Sequence, residues 1–266
     1  MTGRESLQNA EWLLGFDFDG TLADPSNNHS VSQRFFQVLT ELKKERSIAW
    51  GICTGRSLEF LIEGMEKAGF PYWPNYVVTQ ERDIFYLDAS GFHYVADVER
   101  NQAAEKALKT LFINNAATIE KVKSYVNNRT DGQWVSEPND PAGIIAEVDS
   151  EIAEAVKIYN ECPQRCSDLH YQRNTIYLRF SHRNYCKGTA IKYLQRTYSI
   201  DHSKTLVMGD NYNDITMLNK SIAKYYGGPA NSIETLKNAL LNNQGFITKA
   251  SYADGAVEAI QRLVLL

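Results

Sequence analysis

Apolar residues along this chain fall into two kinds of stretch. Leu13-Leu14-Gly15-Phe16, Ile48-Ala49-Trp50-Gly51-Ile52-Cys53, Tyr76-Val77-Val78-Thr79 and Thr205-Leu206-Val207-Met208-Gly209 are short runs with almost no polar interruption. Such runs predict strands buried on both faces. Between the first three, Phe35, Phe36, Leu39 and Leu42, and then Leu58, Leu61, Ile62 and Met65, recur at the spacing of one helix face, with Ser32 placed as an N-cap. Strand, helix, strand, helix, strand is the rhythm of a parallel α/β sheet.

The rhythm breaks in the middle of the chain. Ile84–Leu87 and Phe92–Val95 predict a hairpin about Ser90-Gly91, followed by helices over Ala103–Phe112 and Ile119–Val126. Gly143–Val148 then reads as a strand, Ile152–Tyr159 as a helix and Asn174–Phe180 as an alternating strand. This order suggests an α+β module inserted into an α/β protein. The first rhythm resumes after Cys186 with a helix over Thr189–Arg196, the Thr205–Gly209 strand, and a helix that starts with Ile215, Met217 and Leu218. Lys224–Gly228, Ile233–Leu241, Phe246–Thr248 and Ala256–Leu263 complete that half. The expected division is 1–96 and 184–266 for the sheet domain and 97–183 for the insert.

Composition changes this picture little. The chain has 266 residues and a formal net charge of −4, and it carries no basic run, which argues against a nucleic-acid partner. The first apolar run is too short for a signal peptide or a membrane span, so the expected address is the cytoplasm. Four cysteines (Cys53, Cys162, Cys166, Cys186) without a secretory context read as reduced thiols. The five histidines do not cluster in sequence, so none is assigned to a metal.

The chemistry sits where the predicted strands end. Asp17 and Asp19 close the first strand, Thr54 the second, and Asp210 and Asp214 follow the Thr205–Gly209 strand, while Lys187 opens a helix. Ligands of open α/β sheets bind at the carboxyl ends of strands. Acids gathered there need a cation, and Mg²⁺ prefers few carboxylates together with phosphate oxygen and water. The set therefore suits phosphoryl transfer. Asp17 is placed as nucleophile, kept ionised by the metal and Lys187. Asp17 and Asp210 are the natural carboxylate ligands, with Asp214 sharing that task or orienting Lys187. Thr54 and the N–H groups around Gly55 suit phosphoryl oxygens, and Asp19 suits proton transfer to and from the reacting oxygens.

Four ordered motifs make the chain resemble the haloacid dehalogenase superfamily of aspartate-nucleophile phosphatases: Asp17-Phe18-Asp19-Gly20-Thr21, Cys53-Thr54-Gly55-Arg56, Lys187-Gly188, and Gly209-Asp210-Asn211-Tyr212-Asn213-Asp214. The resemblance implies a Rossmann-like parallel core with the insert as a cap. It implies a phosphoaspartate on Asp17, and Mg²⁺ on the Asp17 carboxylate, the Asp19 backbone carbonyl and Asp210, with Asp214 beside them. It also places Thr54, Gly55, Arg56, Lys187 and Asn213 on the substrate. The position of the insert resembles the type IIB cap of the branch that includes sucrose-phosphate phosphatase and other sugar phosphatases. Many relatives carry Asn-Gly after the third strand, at a stretch that often faces substrate; here Gln80-Glu81-Arg82 stands there.

The expected activity is Mg²⁺-dependent hydrolysis of a small phosphorylated metabolite, a sugar phosphate before others, with the cap excluding bulk water and selecting the substrate. Within the insert, Trp134, Glu137, Asn139, Asp140, His170, Arg173 and Arg179 have the side chains sugar recognition needs, although each is also an ordinary surface or salt-bridge residue. Two other outcomes fit the same residues: a phosphosugar mutase, and a phospho-ligand binding protein without turnover. Oligomeric state is not readable from the sequence.

Overall fold

The structure, a computed structural model, describes residues 1–137 and 140–264, the side chains of residues 137, 140 and 141 aside. The first part of the chain forms α1 (Gly3–Gln8), β1 (Trp12–Phe16), α2 (Gln33–Glu45), β2 (Ile48–Cys53), α3 (Leu58–Lys67), β3 (Tyr76–Thr79), β4 (Asp83–Leu87) and β5 (Tyr94–Ala96). The middle forms α4 (Val98–Asn114), α5 (Ala116–Arg129), β6 (Gln133–Glu137), β7 (Asp140–Ile145), α6 (Asp149–Asn160), β8 (Leu169–Asn174) and β9 (Tyr177–His182). The last part forms α7 (Lys187–Tyr198), β10 (Thr205–Met208), β11 (Tyr225–Gly228), α8 (Glu234–Asn242), β12 (Phe246–Ile247) and α9 (Tyr252–Leu263). Two compact units result, residues 1–101 with 187–266, and residues 102–186.

The first unit is an α/β layer structure on one sheet of order β12-β11-β10-β1-β2-β3-β4-β5. Pairing is parallel from β12 to β3 and antiparallel at β4 and β5. Successive side chains of β1 go to opposite faces. Trp12, Leu14 and Phe16 pack with Phe35, Phe36, Leu39 and Leu42 of α2 and Ala256, Val257 and Ile260 of α9. Leu13 packs with Ala190, Ile191 and Leu194 of α7 and Leu236 and Leu240 of α8. Both faces are covered, which is why β1 is apolar throughout. Phe16 lies in register with Ile52 of β2 and Met208 of β10. The residues just beyond these three, Asp17, Thr54 and Asp210, therefore leave the sheet at one edge.

The second unit is a four-stranded antiparallel sheet of order β6-β7-β9-β8. Val122 and Val126 of α5, Ile152, Ala155 and Tyr159 of α6, and Ile144, Leu178 and Phe180 of the sheet form its core.

Several local expectations are corrected. The stretch Asn174–Phe180 is not one strand: Thr175, with φ of 50°, turns the chain between β8 and β9, which pair from Leu169↔His182 to Asn174↔Tyr177. β7 ends at Ile145, and Val148 becomes the N-cap of α6; the Glu151 carboxylate accepts the Glu147 N–H at 2.9 Å and draws the chain into that helix. The segment around Ile215 is a 3₁₀ helix over Tyr212–Thr216 rather than an α-helix, and the Asp214 carboxylate holds the N–H groups of Asp210 and Asn211 at its start. Ser32 stands at the N-cap position of α2, but its hydroxyl donates to Asp254 at 3.0 Å instead of capping. α1 and β6 were not foreseen. α1 opens on a reciprocal capping box between Thr2 and Glu5.

Candidate active site

The strand-end loops of the first unit meet around one ammonium group. Lys187 is the first residue of α7 and is wholly buried. Its Nζ donates to Asp17 Oδ1 and Asp214 Oδ1, each at 2.7 Å, and lies 3.6 Å from Glu81 Oε2. A cation in the first turn opposes the helix dipole, so these carboxylates also offset an unfavourable placement. Gly188 makes the placement possible: a Cβ there would lie 2.0 Å from the Thr216 carbonyl oxygen, so only glycine lets α7 start against the 3₁₀ helix.

The turn after Asp17 is shaped to meet Asp210. Gly20 has φ of 85°, and a Cβ there would lie 2.4 Å from Asp210 Oδ2. Thr21 Oγ1 donates to Asp210 Oδ1 at 3.0 Å. Asp19 turns elsewhere. Its carboxylate is held in a fork by Arg56, Nε to Oδ2 at 2.7 Å and Nη2 to Oδ1 at 2.6 Å, with His29 Nδ1 3.4 Å from Oδ1. Arg56 also donates to the Phe60 carbonyl and covers the Phe18 ring. Thr54 is buried, and its hydroxyl accepts the Arg56 N–H at 3.2 Å.

Asp17, Asp210 and Asp214 each offer a carboxylate oxygen, and these three atoms lie within 4.8 Å of one another. Asp17, Asp214 and Glu81 surround one ammonium, and Asp210 lies beside the first and second of these carboxylates. Burial pushes Asp17 well above the ordinary carboxylate range; Lys187 opposes this, while Asp214 and Asp210 add to it. Burial, and then Asp214, push Asp210 up to about 7. Burial works against the charge of Lys187, but Asp17, Asp214 and Glu81 outweigh it and hold the ammonium well above the usual lysine range. A buried oxygen cluster this short of positive charge fits a hard divalent cation. The neighbouring Cys53 thiol is pushed up, first by burial, and suits no nucleophilic role.

Among the residues singled out by sequence, Asp17, Asp210, Asp214 and Lys187 are in direct or near contact, and Asn213 reaches them through Glu81. The side chains of Asp19 and Arg56 engage each other. Of the insert candidates, Arg173 pairs with Asp149, Trp134 packs against Phe180, and His170 stacks on Tyr171. Asn139 lies outside the described residues, as do the side chains of Glu137 and Asp140. The sequence reading names Glu81 only within the Gln80-Glu81-Arg82 stretch and gives His29 no role. For Glu81 the signal was present in its place after β3, where a short turn follows a strand that ends at the site.

The family model for haloacid dehalogenase-like hydrolases matches residues 14–260. The chain belongs to that family, and it is an enzyme of that hydrolase class. It is 21% identical over 280 residues to a kanosamine-6-phosphate phosphatase of Bacillus subtilis, covering 97% of this chain and 95% of the relative. Its fold matches the sucrose-phosphatase of Synechocystis sp. PCC6803, solved with sucrose and phosphate, with a TM-score of 0.69 at 17% identity over 96% of this chain and 98% of the other. It also matches a sugar phosphatase of subclass IIB with a TM-score of 0.62 at 14% identity, over 96% and 100% of the two chains. Among the described residues no helix is long and apolar enough to cross a membrane.

Proposed function

We propose that this hydrolase is a Mg²⁺-dependent phosphatase acting on a small phosphate monoester, a sugar phosphate before others. The observation that carries the reading is the Lys187 ammonium at 2.7 Å from both Asp17 and Asp214, inside the cluster of Asp17, Asp210 and Asp214. The names of the kanosamine-6-phosphate and sucrose phosphatases support the substrate class.

Asp17, the Asp19 backbone carbonyl and Asp210 would hold Mg²⁺, with Asp214 beside them. When bound, the ion supplies the positive charge that lets an anionic ester approach an anionic nucleophile. An Asp17 carboxylate oxygen attacks phosphorus, and the phosphorus–ester oxygen bond breaks. Asp19, protonated on an oxygen it frees from Arg56, gives that proton to the leaving alcohol oxygen. Asp19 then takes a proton from water, whose oxygen attacks the phosphoaspartate. The phosphorus–Asp17 bond breaks, and inorganic phosphate and the original carboxylate are restored. Thr54, Gly55, Lys187 and Asn213 hold the phosphoryl oxygens. Arg56, whose guanidinium is given to Asp19, serves the reaction by fixing that carboxylate. The insert is the proposed source of substrate selection.

The test is phosphate release over a panel of sugar phosphates and unrelated esters, with Mg²⁺ and with chelator. Release is expected to need Mg²⁺, to favour sugar phosphates and to vanish in Asp17→Asn. Turnover that survives Asp17→Asn overturns the mechanism, and a flat profile over the panel overturns the substrate class.

A further inference from the structure

Glu81 occupies an unusual backbone position for its side chain. The Arg82 N–H donates to the Thr79 carbonyl at 2.9 Å and closes a four-residue turn between β3 and β4. Its two central residues, Gln80 and Glu81, have φ of 47° and 66°. Two left-handed residues in such a turn favour Asn-Gly, and long side chains there are strained. Strain of this kind persists where the surroundings over-determine it, and it clusters at functional sites. Here the Gln80 and Glu81 N–H groups are tied to the carbonyls of Arg56 and Thr54, each at 2.9 Å, so the turn is fixed to the loop that carries Thr54.

The side chain then reaches inward. Glu81 is 5% exposed. Its Oε1 accepts from Asn213 Nδ2 at 2.9 Å, and Oε2 lies 3.6 Å from Lys187 Nζ. We infer that Glu81 is a positioning residue that sets both Lys187 and Asn213 for the phosphoryl group. The inference rests on the phosphatase reading.

Two features of the contacts explain how. A carboxylate only accepts, so the Asn213 NH₂ must face it and the sense of the amide is fixed. Asn213 Oδ1, buried and with no hydrogen-bond partner among the described residues, is thereby turned away from Glu81. Lys187 has three donors, and Asp17 and Asp214 take two. At 3.6 Å Glu81 is too far for a hydrogen bond but close enough to attract the charge. It directs the ammonium and leaves the third N–H for a phosphoryl oxygen. The side chain also lies against Gly55, where a Cβ would sit 2.8 Å from Oε1, so one carboxylate touches three of the proposed phosphate-binding residues.

The test compares Glu81→Gly and Glu81→Gln with the wild type, all with Mg²⁺, on a sugar phosphate that the wild type hydrolyses. It reads kcat, KM, inhibition by inorganic phosphate, and Tm. Glycine relieves the positive φ, which offsets part of the lost contact to Asn213, so Glu81→Gly should stay folded with Tm within about 5 °C of the wild type while kcat and the affinity for inorganic phosphate each fall by about tenfold or more. Glu81→Gln keeps an acceptor for Asn213 but loses the charge facing Lys187, and should hold kcat between about twofold and fivefold below the wild type. A folded Glu81→Gly with kcat and phosphate inhibition within about twofold of the wild type overturns the inference alone. Loss of Tm and activity together, without recovery in Glu81→Gln, assigns Glu81 to packing and also overturns it. If Glu81→Gly does not fold, Glu81→Gln decides: kcat and phosphate inhibition both at the wild-type level overturn the inference, whereas a partial loss at unchanged Tm upholds it. A folded wild type that releases phosphate from no ester overturns the underlying reading, and the inference with it.

Discussion

Replacing Lys187 with Met tests the electrostatic account of the site directly. Methionine keeps most of the stem volume and removes the charge together with its N–H donors. Asp17, Asp214, Glu81 and Asp210 then remain buried together with no cation among them. Removing one partner of a buried ion pair costs about 3–5 kcal/mol. For a protein of this size that corresponds to a fall in Tm of about 6–20 °C. The measurement is thermal unfolding followed by circular dichroism, in chelator at pH 7.5 so that no cation offsets the loss. A second substitution sharpens it. Asp214→Asn in the wild type removes a charge partner of Lys187 and should destabilise by about 1.5–3 kcal/mol. In the Lys187→Met background the same change removes a surplus negative charge and should stabilise. A Tm within about 2 °C of the wild type for Lys187→Met, or an Asp214→Asn effect of the same sign in both backgrounds, refutes the reasoning.

Two further outcomes follow from the same geometry. Arg56→Lys loses the fork on Asp19 and keeps the charge, so kcat should fall by about tenfold with little change in KM, read by steady-state phosphate release; an unchanged kcat removes Arg56 from the orientation of Asp19. The Cys53 thiol, wholly buried and pushed up by that burial, should resist alkylation by iodoacetamide at pH 8 in the folded protein and react once denaturant is added, as peptide mass analysis will show; ready labelling of the folded protein contradicts the burial described here.

Much of the architecture is legible in the chain because both faces of the main sheet are covered. An uninterrupted apolar run as short as Ile48–Cys53 suits a strand covered on both faces better than a helix, which needs more residues. The residue set of the site is legible for a different reason: phosphoryl transfer restricts which side chains can stand at strand ends. What the pattern hides is local conformation. The place of Gln80-Glu81-Arg82 after β3 marks a turn at the site, but the side chains announce neither the two positive φ angles, fixed by backbone hydrogen bonds to Thr54 and Arg56 in another loop, nor the buried carboxylate, held by Asn213 and Lys187. The β8–β9 hairpin turns at Thr175 with no glycine or proline to mark it. The pairing of Asp19 with Arg56 joins two motifs that sequence order keeps apart. By contrast α1 was open to reading, because Thr2 and Glu5 stand three apart at its start.

The central place of β1 has a consequence for synthesis. One of its neighbours, β2, follows within the same half of the chain, but the other is β10, joined through pairs such as Leu13↔Thr205. Contacts so distant in sequence slow folding, because the intervening loop must close before they form. A nascent chain that has emerged only as far as the insert lacks the β10 partner of β1, whose Leu13, Leu14 and Phe16 are fully buried in the finished protein. Bare apolar edges of this kind are where partly made proteins aggregate. Asp17 waits on the same event, since Lys187 reaches it from α7. Arrival of the last third of the chain thus closes the sheet edge and supplies the counter-charge of the nucleophile in one step.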